Sequence, residues 1–317
     1  MQRRDFVLVT AGSIVGFGGV STANQVRVTA AEFAAARKFV DTRSGRIAHV
    51  DEGHGDAVLF LHGLPLNGFQ WRDAIKTLSA ERRCLAPDFL GLGYTDVAEG
   101  QGCGPLDQME MIVEFMDAKG VLSVDVIASD SGGAVAQHLV TRHPERVRTL
   151  LLANCDTEID YPLAVLQPVF ELSRQGKYAD VVEAWLADKA MFRSSDKGLG
   201  ACYAQPENLP AAAIDLYLAP LVASPNKKAK MHEYILALEA NPLAGIEAEL
   251  RKCRVPTRVV WGAEDRIFST KSPGYLGKTF GNSQGVRMLE GYKLFWPEER
   301  PDIVVEEARR LWARPLP

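Results

Sequence analysis

The residues best suited to chemistry lie in one short stretch, Ile127-Ala128-Ser129-Asp130-Ser131-Gly132-Gly133. An apolar strand pattern runs into a turn crowded with small residues and then into a helical pattern. A turn this tight has no room for bulk two residues either side of its apex. It lifts the apex side chain clear of the sheet at a helix N-terminus, where the dipole favours negative charge. Two frames satisfy the spacing. Asp130 has Ala128 before it and Gly132 after it, and Ser131 has Ser129 and Gly133. A carboxylate at the apex would be a nucleophile able to split one hard step into two. A serine there serves acyl transfer instead.

A sheet must hold such an apex. From about residue 36, strand, turn and helix patterns alternate. Lys38–Val40 and Ile47–Val50 read as a hairpin around Ser44-Gly45. Ala57–Leu61, Cys84–Ala86, Val124–Ala128, Leu150–Ala153, Arg258–Trp261 and Val286–Leu289 read as further strands. Helical patterns cover Gln108–Met116, Gly132–Arg142 and Pro297 to about Trp312. Apolar strands alternating with helices predict a mostly parallel sheet covered on both faces. The alternation stops between Asp160 and Asn241, where only helical segments occur: Leu163–Arg174, Tyr178–Met191, Pro210–Leu221 and Lys227–Glu239. An all-helical insert in such a sheet predicts a lid over the strands' carboxyl ends, where ligands bind. The expected division is an α/β core of residues 36–159 and 242–317 with a lid of residues 160–241.

The 317 residues are 47% hydrophobic and 24% charged, with a net charge of −4, a balance that argues against a nucleic-acid partner. Cysteines 84, 103, 155, 202 and 253 form no C-x-x-C pair and no zinc spacing, and no phosphate-binding G-x-x-x-x-G-K is present. No cofactor or metal is therefore expected. Residues 1–23 read as a twin-arginine-type signal peptide: Arg3-Arg4, the weakly apolar run Val7–Val20, then Ser21-Thr22-Ala23. That run is too short to span a bilayer. The expectation is a periplasmic protein with no stable membrane anchor after signal removal. Nothing in the sequence specifies an oligomeric state.

These segments resemble the α/β-hydrolase family over nearly all of residues 36–314. His62-Gly63-Leu64-Pro65, with Trp71 following, resembles the family's oxyanion loop. Asp88-Phe89-Leu90-Gly91-Leu92-Gly93-Tyr94-Thr95 resembles its D-x-x-G-x-G-x-S/T loop, and His143-Pro144-Glu145-Arg146-Val147 the segment after the elbow helix. Trp261-Gly262-Ala263-Glu264-Asp265 resembles the loop of the triad acid, and Glu298-Glu299-Arg300-Pro301 the start of the last helix. The resemblance implies an eight-stranded, mostly parallel sheet, helices on both faces and an inserted helical lid. Family members place paired glycines two and three residues after the nucleophile and a His-Pro thirteen or fourteen after it; both spacings favour Asp130 over Ser131. An Asp there resembles the epoxide hydrolase and dehalogenase branch. The implied oxyanion donors are the N–H groups of Leu64 and Ser131, and the implied acid is Asp265.

One part of the family pattern is missing. The base that hydrolyses the ester is a His shortly before the last helix, and the expected position here is Leu294, flanked by Lys293 and Phe295. No His follows His232. His62 belongs to the oxyanion turn, and His232, on a lid helix, is the one imidazole expected to be able to enter the pocket. Without a His partner, Asp265 is expected to bond backbone N–H groups or pair with a cation such as Lys293. Ser131 and Leu64 also stand where dehalogenases hold the departing halide with Trp and Asn. Lid tyrosines protonate the oxygen in epoxide hydrolases of this fold, and Tyr161, Tyr178, Tyr203, Tyr217 and Tyr234 fall in or near the lid. Three readings stay open: an Asp130 enzyme with a non-standard triad, including a lyase or isomerase; a conventional hydrolase with its base supplied by His232, or a serine hydrolase using Ser131; and a ligand-binding protein on the same fold. The expected partner is a small hydrophobic molecule with one polar handle.

Overall fold

A computed structural model describes residues 27–161 and 163–313; the expected signal peptide, residues 1–23, lies outside them. Among the described residues nine strands form one sheet. In chain order they are β1 (Lys38–Thr42), β2 (Gly45–Glu52), β3 (Ala57–Leu61), β4 (Arg83–Pro87), β5 (Asp96–Val97), β6 (Val124–Asp130), β7 (Val147–Cys155), β8 (Thr257–Gly262) and β9 (Ser283–Leu289). Eight run across the sheet as β1-β2-β4-β3-β6-β7-β8-β9, and the two-residue β5 pairs beside β2. β2 is antiparallel to β1 and β4, and all pairings from β4 to β9 are parallel. The eight strands read from the sequence make up this path. β5 is additional, too short to leave a pattern.

β3, β6 and β8 are buried along their whole length; β3 is apolar throughout, while Asp125 of β6 and Arg258 of β8 are paired with Arg148 and Glu307. Helices Pro105–Ala118 and Gly132–Arg142 pack together over the sheet, while Arg72–Leu78 packs with Pro301–Trp312. The chain leaves β3 toward β4 on one side and returns as β6 on the other. Such a switch opens a crevice at the carboxyl ends of the two strands. Leu61 ends β3 and Asp130 ends β6, so the oxyanion loop and the elbow meet there.

Between β7 and β8 the described elements are all helical. Two helices are shorter than their sequence patterns suggest. The pattern from Tyr178 to Met191 breaks at Asp188, whose carboxylate caps the N–H groups of Ala190 and Met191 and starts the helix Lys189–Arg193. The last helix is divided at Arg300, because Pro301 cannot continue the Trp296–Glu299 turn and begins Pro301–Trp312 instead. The fold also starts earlier than residue 36. Thr29 and Glu32 form a capping box for Ala30–Ala36, and Phe33 packs edge-on against Phe69 with ring centres 5.2 Å apart.

Candidate active site

Asp130 has φ 56°, and among the described residues no other non-glycine residue has a positive φ. Ser131, with φ −65°, is ordinary helical backbone. A left-handed conformation costs an L-residue about 1–2 kcal/mol and persists only where its surroundings impose it. The surroundings here are two glycine contacts. A Cβ on Gly132 would lie 2.4 Å from the His62 carbonyl oxygen, and one on Gly63 would lie 2.3 Å from Asp130 Oδ1. Elbow and oxyanion loop therefore touch in a way that only glycine permits.

The Ser131 N–H donates to Asp130 Oδ1 at 2.5 Å, and the Leu64 N–H also bonds the carboxylate. The two donors expected to hold an oxyanion thus both hold Asp130. Burial pushes its carboxyl up to about 6, opposed by these N–H groups and reinforced slightly by the charge of Asp265.

Above the elbow is a cavity of about 490 Å³. Its floor includes Leu64, Asp130, Ser131, Asp156, Leu294 and Phe295, and its roof is apolar lid, including Leu166, Val169, Leu172, Val181 and Trp185. A volume and lining of this kind suit a small hydrophobic ligand. No imidazole lines it among the described residues.

His62, Trp71 and His232 do not line the cavity. His62 is fully buried: Nε2 accepts the Phe89 N–H at 3.0 Å, which leaves Nδ1 to donate to the Gly63 carbonyl at 3.1 Å. It braces the oxyanion loop from behind and does not line the cavity. Trp71 is 1% exposed and packs against Phe60, with ring centres 5.8 Å apart, because its helical turn faces the core. His232 accepts the Ala179 N–H at 3.2 Å and so is spent on the lid's own packing.

Asp265 does not line the cavity either. Asn154 Nδ2 donates to its Oδ2 at 2.6 Å, and the N–H groups of Ile267 and Phe268 donate to Oδ1 at 2.8 and 3.4 Å. Of the two expected situations for Asp265 the backbone one is present, with Asn154 where a cation such as Lys293 was the alternative. Burial still holds its carboxyl above the usual range, against those donors. Asn154 Oδ1 accepts from Gly262 N–H at 2.6 Å and Trp296 Nε1 at 3.0 Å, clamping the acid loop to the Trp296–Glu299 turn. Leu294, 2% exposed, presents methyl groups to the cavity, and the Phe295 N–H is tied to the Cys202 carbonyl at 2.9 Å.

Among the lid tyrosines, Tyr178 lines the cavity, Tyr203 donates to Glu298 Oε2 at 2.9 Å, Tyr217 packs on Phe69 and the Tyr234 hydroxyl bonds Ser131 Oγ at 2.7 Å. Tyr161 faces Asp156. Asp156 itself escaped the sequence reading. Its signal was positional, since a residue just past β7 must lie beside the end of β6 in a parallel sheet.

An elbow at the switch point of such a sheet, under an inserted helical lid, defines a class, and the α/β-hydrolase fold family matches residues 56–296. The chain belongs to that family. It is 29% identical over 274 residues to haloalkane dehalogenase 2 of Mycobacterium tuberculosis, covering 84% of this chain and 91% of that protein. A shorter segment of 123 residues is 25% identical to the cis-3-alkyl-4-alkyloxetan-2-one decarboxylase of Shewanella oneidensis, covering 37% of this chain and 38% of that one. The fold is shared with the solved structure of the epoxide hydrolase CorEH, at a TM-score of 0.72, 18% identity and coverage of 87% of this chain and 98% of that one. The protein is thus a hydrolase-fold enzyme similar, at modest identity, to haloalkane dehalogenases, and it shares its fold with an epoxide hydrolase.

Proposed function

We propose that the protein uses Asp130 as the nucleophile against an electrophilic carbon of a small hydrophobic substrate, forming an alkyl ester of its carboxylate. The observation that carries this reading is the strained backbone of Asp130 at the floor of the cavity, with the Ser131 and Leu64 N–H groups on its carboxylate. Those donors would stabilise the oxyanion when the ester carbonyl is attacked. Ser131 is the weaker candidate, because its backbone is relaxed and its hydroxyl is engaged by Tyr234.

The triad is non-standard in this reading. Leu294 occupies the place of the imidazole, and Asp265 serves structure. A positioned general base is worth about 10²–10⁴-fold, so ester hydrolysis by an unaided water would be slow. A non-hydrolytic outcome such as elimination or isomerisation is compatible with this site, and a decarboxylase among the relatives is consistent with it. Intact-mass measurement after incubation with epoxides and alkyl halides tests the reading. A covalent increment on Asp130, or product, is expected. Ligand-induced thermal stabilisation with neither would favour a binding protein instead.

We also propose export to the periplasm on the strength of Arg3-Arg4 and the short apolar run after it. Cell fractionation of the full chain and of an Arg3→Lys, Arg4→Lys variant tests this; equal partitioning of the two would overturn it.

A further inference from the structure

The cavity floor holds a second carboxyl group. Asp156 follows β7 directly, and Cys155 before it is in register with Asp130 on the adjacent strand. The Asp156 N–H donates to the Asp130 carbonyl at 3.4 Å, and its own carbonyl accepts Gln137 Nε2 at 2.8 Å. The backbone is pinned on both sides at a residue that lines the cavity. Asp156 is 2% exposed, and its Oδ2 is buried with no hydrogen-bond partner. The Tyr161 hydroxyl faces it, near enough to favour its charged form but outside hydrogen-bond geometry, and the Tyr234 hydroxyl is taken by Ser131. An unpartnered buried carboxyl oxygen is costly unless it carries a proton or a ligand completes it.

Burial, then the charge of Asp130, holds the Asp156 proton on well above the ordinary carboxylate range, against the Tyr161 hydroxyl. Asp130, held by two N–H groups, ionises more readily. Two neighbouring carboxyls pushed apart in this way divide into a base or nucleophile and an acid. The floor has little to offer a departing halide. The Leu64 and Ser131 N–H groups are on Asp130, and Trp185 Nε1 donates to the Lys197 carbonyl at 2.8 Å.

We propose that Asp156 is a catalytic residue, the acid that opens a small apolar epoxide attacked by Asp130 and afterwards the base that the cavity otherwise lacks. This rests on Asp130 being the nucleophile. In the first step an Asp130 carboxylate oxygen bonds to a ring carbon as that carbon's bond to the ring oxygen breaks. The electron pair left on that oxygen takes the Asp156 proton, giving a hydroxyalkyl ester of Asp130 and an Asp156 carboxylate. In the second, Asp156 takes a proton from water as the water oxygen bonds to the ester carbonyl carbon. The oxyanion forms at Leu64 and Ser131, and its collapse expels the alkoxide. The alkoxide takes the proton of the new Asp130 carboxylic acid. Both side chains return to their starting state, and one water has been added to one epoxide.

The test uses the full chain with styrene oxide and n-butyl bromide, following product and intact mass. Opening of the epoxide needs a proton donor; loss of bromide does not. Asp156→Asn should slow epoxide opening by about 10²-fold or more. It should still let butyl bromide alkylate Asp130 at close to the unmodified protein's rate, and the butyl ester should then persist. Epoxide turnover at the unmodified protein's rate, or equal loss with both probes in a protein of unchanged thermal unfolding, overturns the proposal. If Asp156→Asn does not fold, Asp156→Ala with added acetate replaces it. Acetate should restore epoxide turnover at least tenfold, and no restoration in the folded variant overturns the role. Asp130→Asn separates the two readings. An ester or turnover that survives in it overturns the nucleophile assignment, whereas a defect confined to the Asp156 variants leaves that assignment standing. An unmodified protein inert to both probes overturns both.

Discussion

Asp130 and Asp265 lie close enough for their charges to act on each other, yet the molecule treats them oppositely. Asp265 is satisfied by a side-chain amide and two backbone N–H groups and is turned away from the cavity. Asp130 sits on strained backbone, opens to the cavity and is pushed toward its neutral form. The difference shows what a carboxylate does with and without dedicated donors. One carboxylate holds strain and charge that a substrate can relieve; the other is closed in a structural clamp with Asn154.

The largest expected effect tests the strained side. Asp130→Asn should abolish adduct formation and turnover. In the unmodified chain, adduct formation should rise with pH through about 6 and then level off, as the carboxylate forms. The same substitution should stabilise the protein at neutral pH. The folded-state value lies above the unfolded one, so the unfolded chain releases this proton first as pH rises from about 4. Stability is lost between about 4 and about 6, up to roughly 3 kcal/mol, and Asn is free of that loss. Thermal unfolding of both proteins at pH 4 and pH 8 measures it. Equal pH dependence would mean that Asp130 carries no stored charge cost.

Next comes the side without an imidazole. Leu294→His places a base at the cavity wall and should shorten the lifetime of a preformed Asp130 ester by about 10²-fold, followed by mass after removing excess probe. An unchanged lifetime would show that position 294 does not reach the ester.

Asp265→Asn should act on stability more than on chemistry. It opposes an amide to the Asn154 amide inside a buried cluster, costing about 1–3 kcal/mol, with turnover per folded molecule altered less than tenfold. A larger loss of turnover than of stability would return Asp265 to the reacting groups and dissolve the contrast with Asp130. The smallest effect belongs to His232→Ala. Losing its bond to the Ala179 N–H should cost the lid about 1 kcal/mol and leave turnover unchanged. Turnover reduced to background would reinstate His232 as the base.

Much of this architecture was legible because it follows local rules. The inner strands carry apolar cores such as Ala57–Leu61 and Leu150–Ala153, and small residues at 128, 132 and 133 announced the elbow. The lid showed as a block without strand patterns. Misreadings came where a residue's type allowed two environments. Trp71 and His62 are suited to a pocket or to a core; the turn Gly68–Trp71 carries the indole inward, and His62 is held behind the oxyanion loop by the Phe89 N–H and the Gly63 carbonyl. Asp188 and Pro301 interrupt helices whose apolar spacing continues across them, because a cap and a missing N–H outweigh periodicity.

By itself the sequence determined the strand and helix order, the apex with its two possible nucleophiles and the absence of a histidine where the family resemblance expects one, since patterning, turn sterics and composition are properties of the chain. Only the tertiary structure distinguishes Asp130 from Ser131 in backbone, through the glycine contacts that hold one at φ 56° and leave the other helical. It also decided that Asp265 is clamped and that Asp156 shares the floor, because hydrogen-bond partners and burial are set by which strand ends meet, and residues far apart in sequence become neighbours only once the sheet has formed.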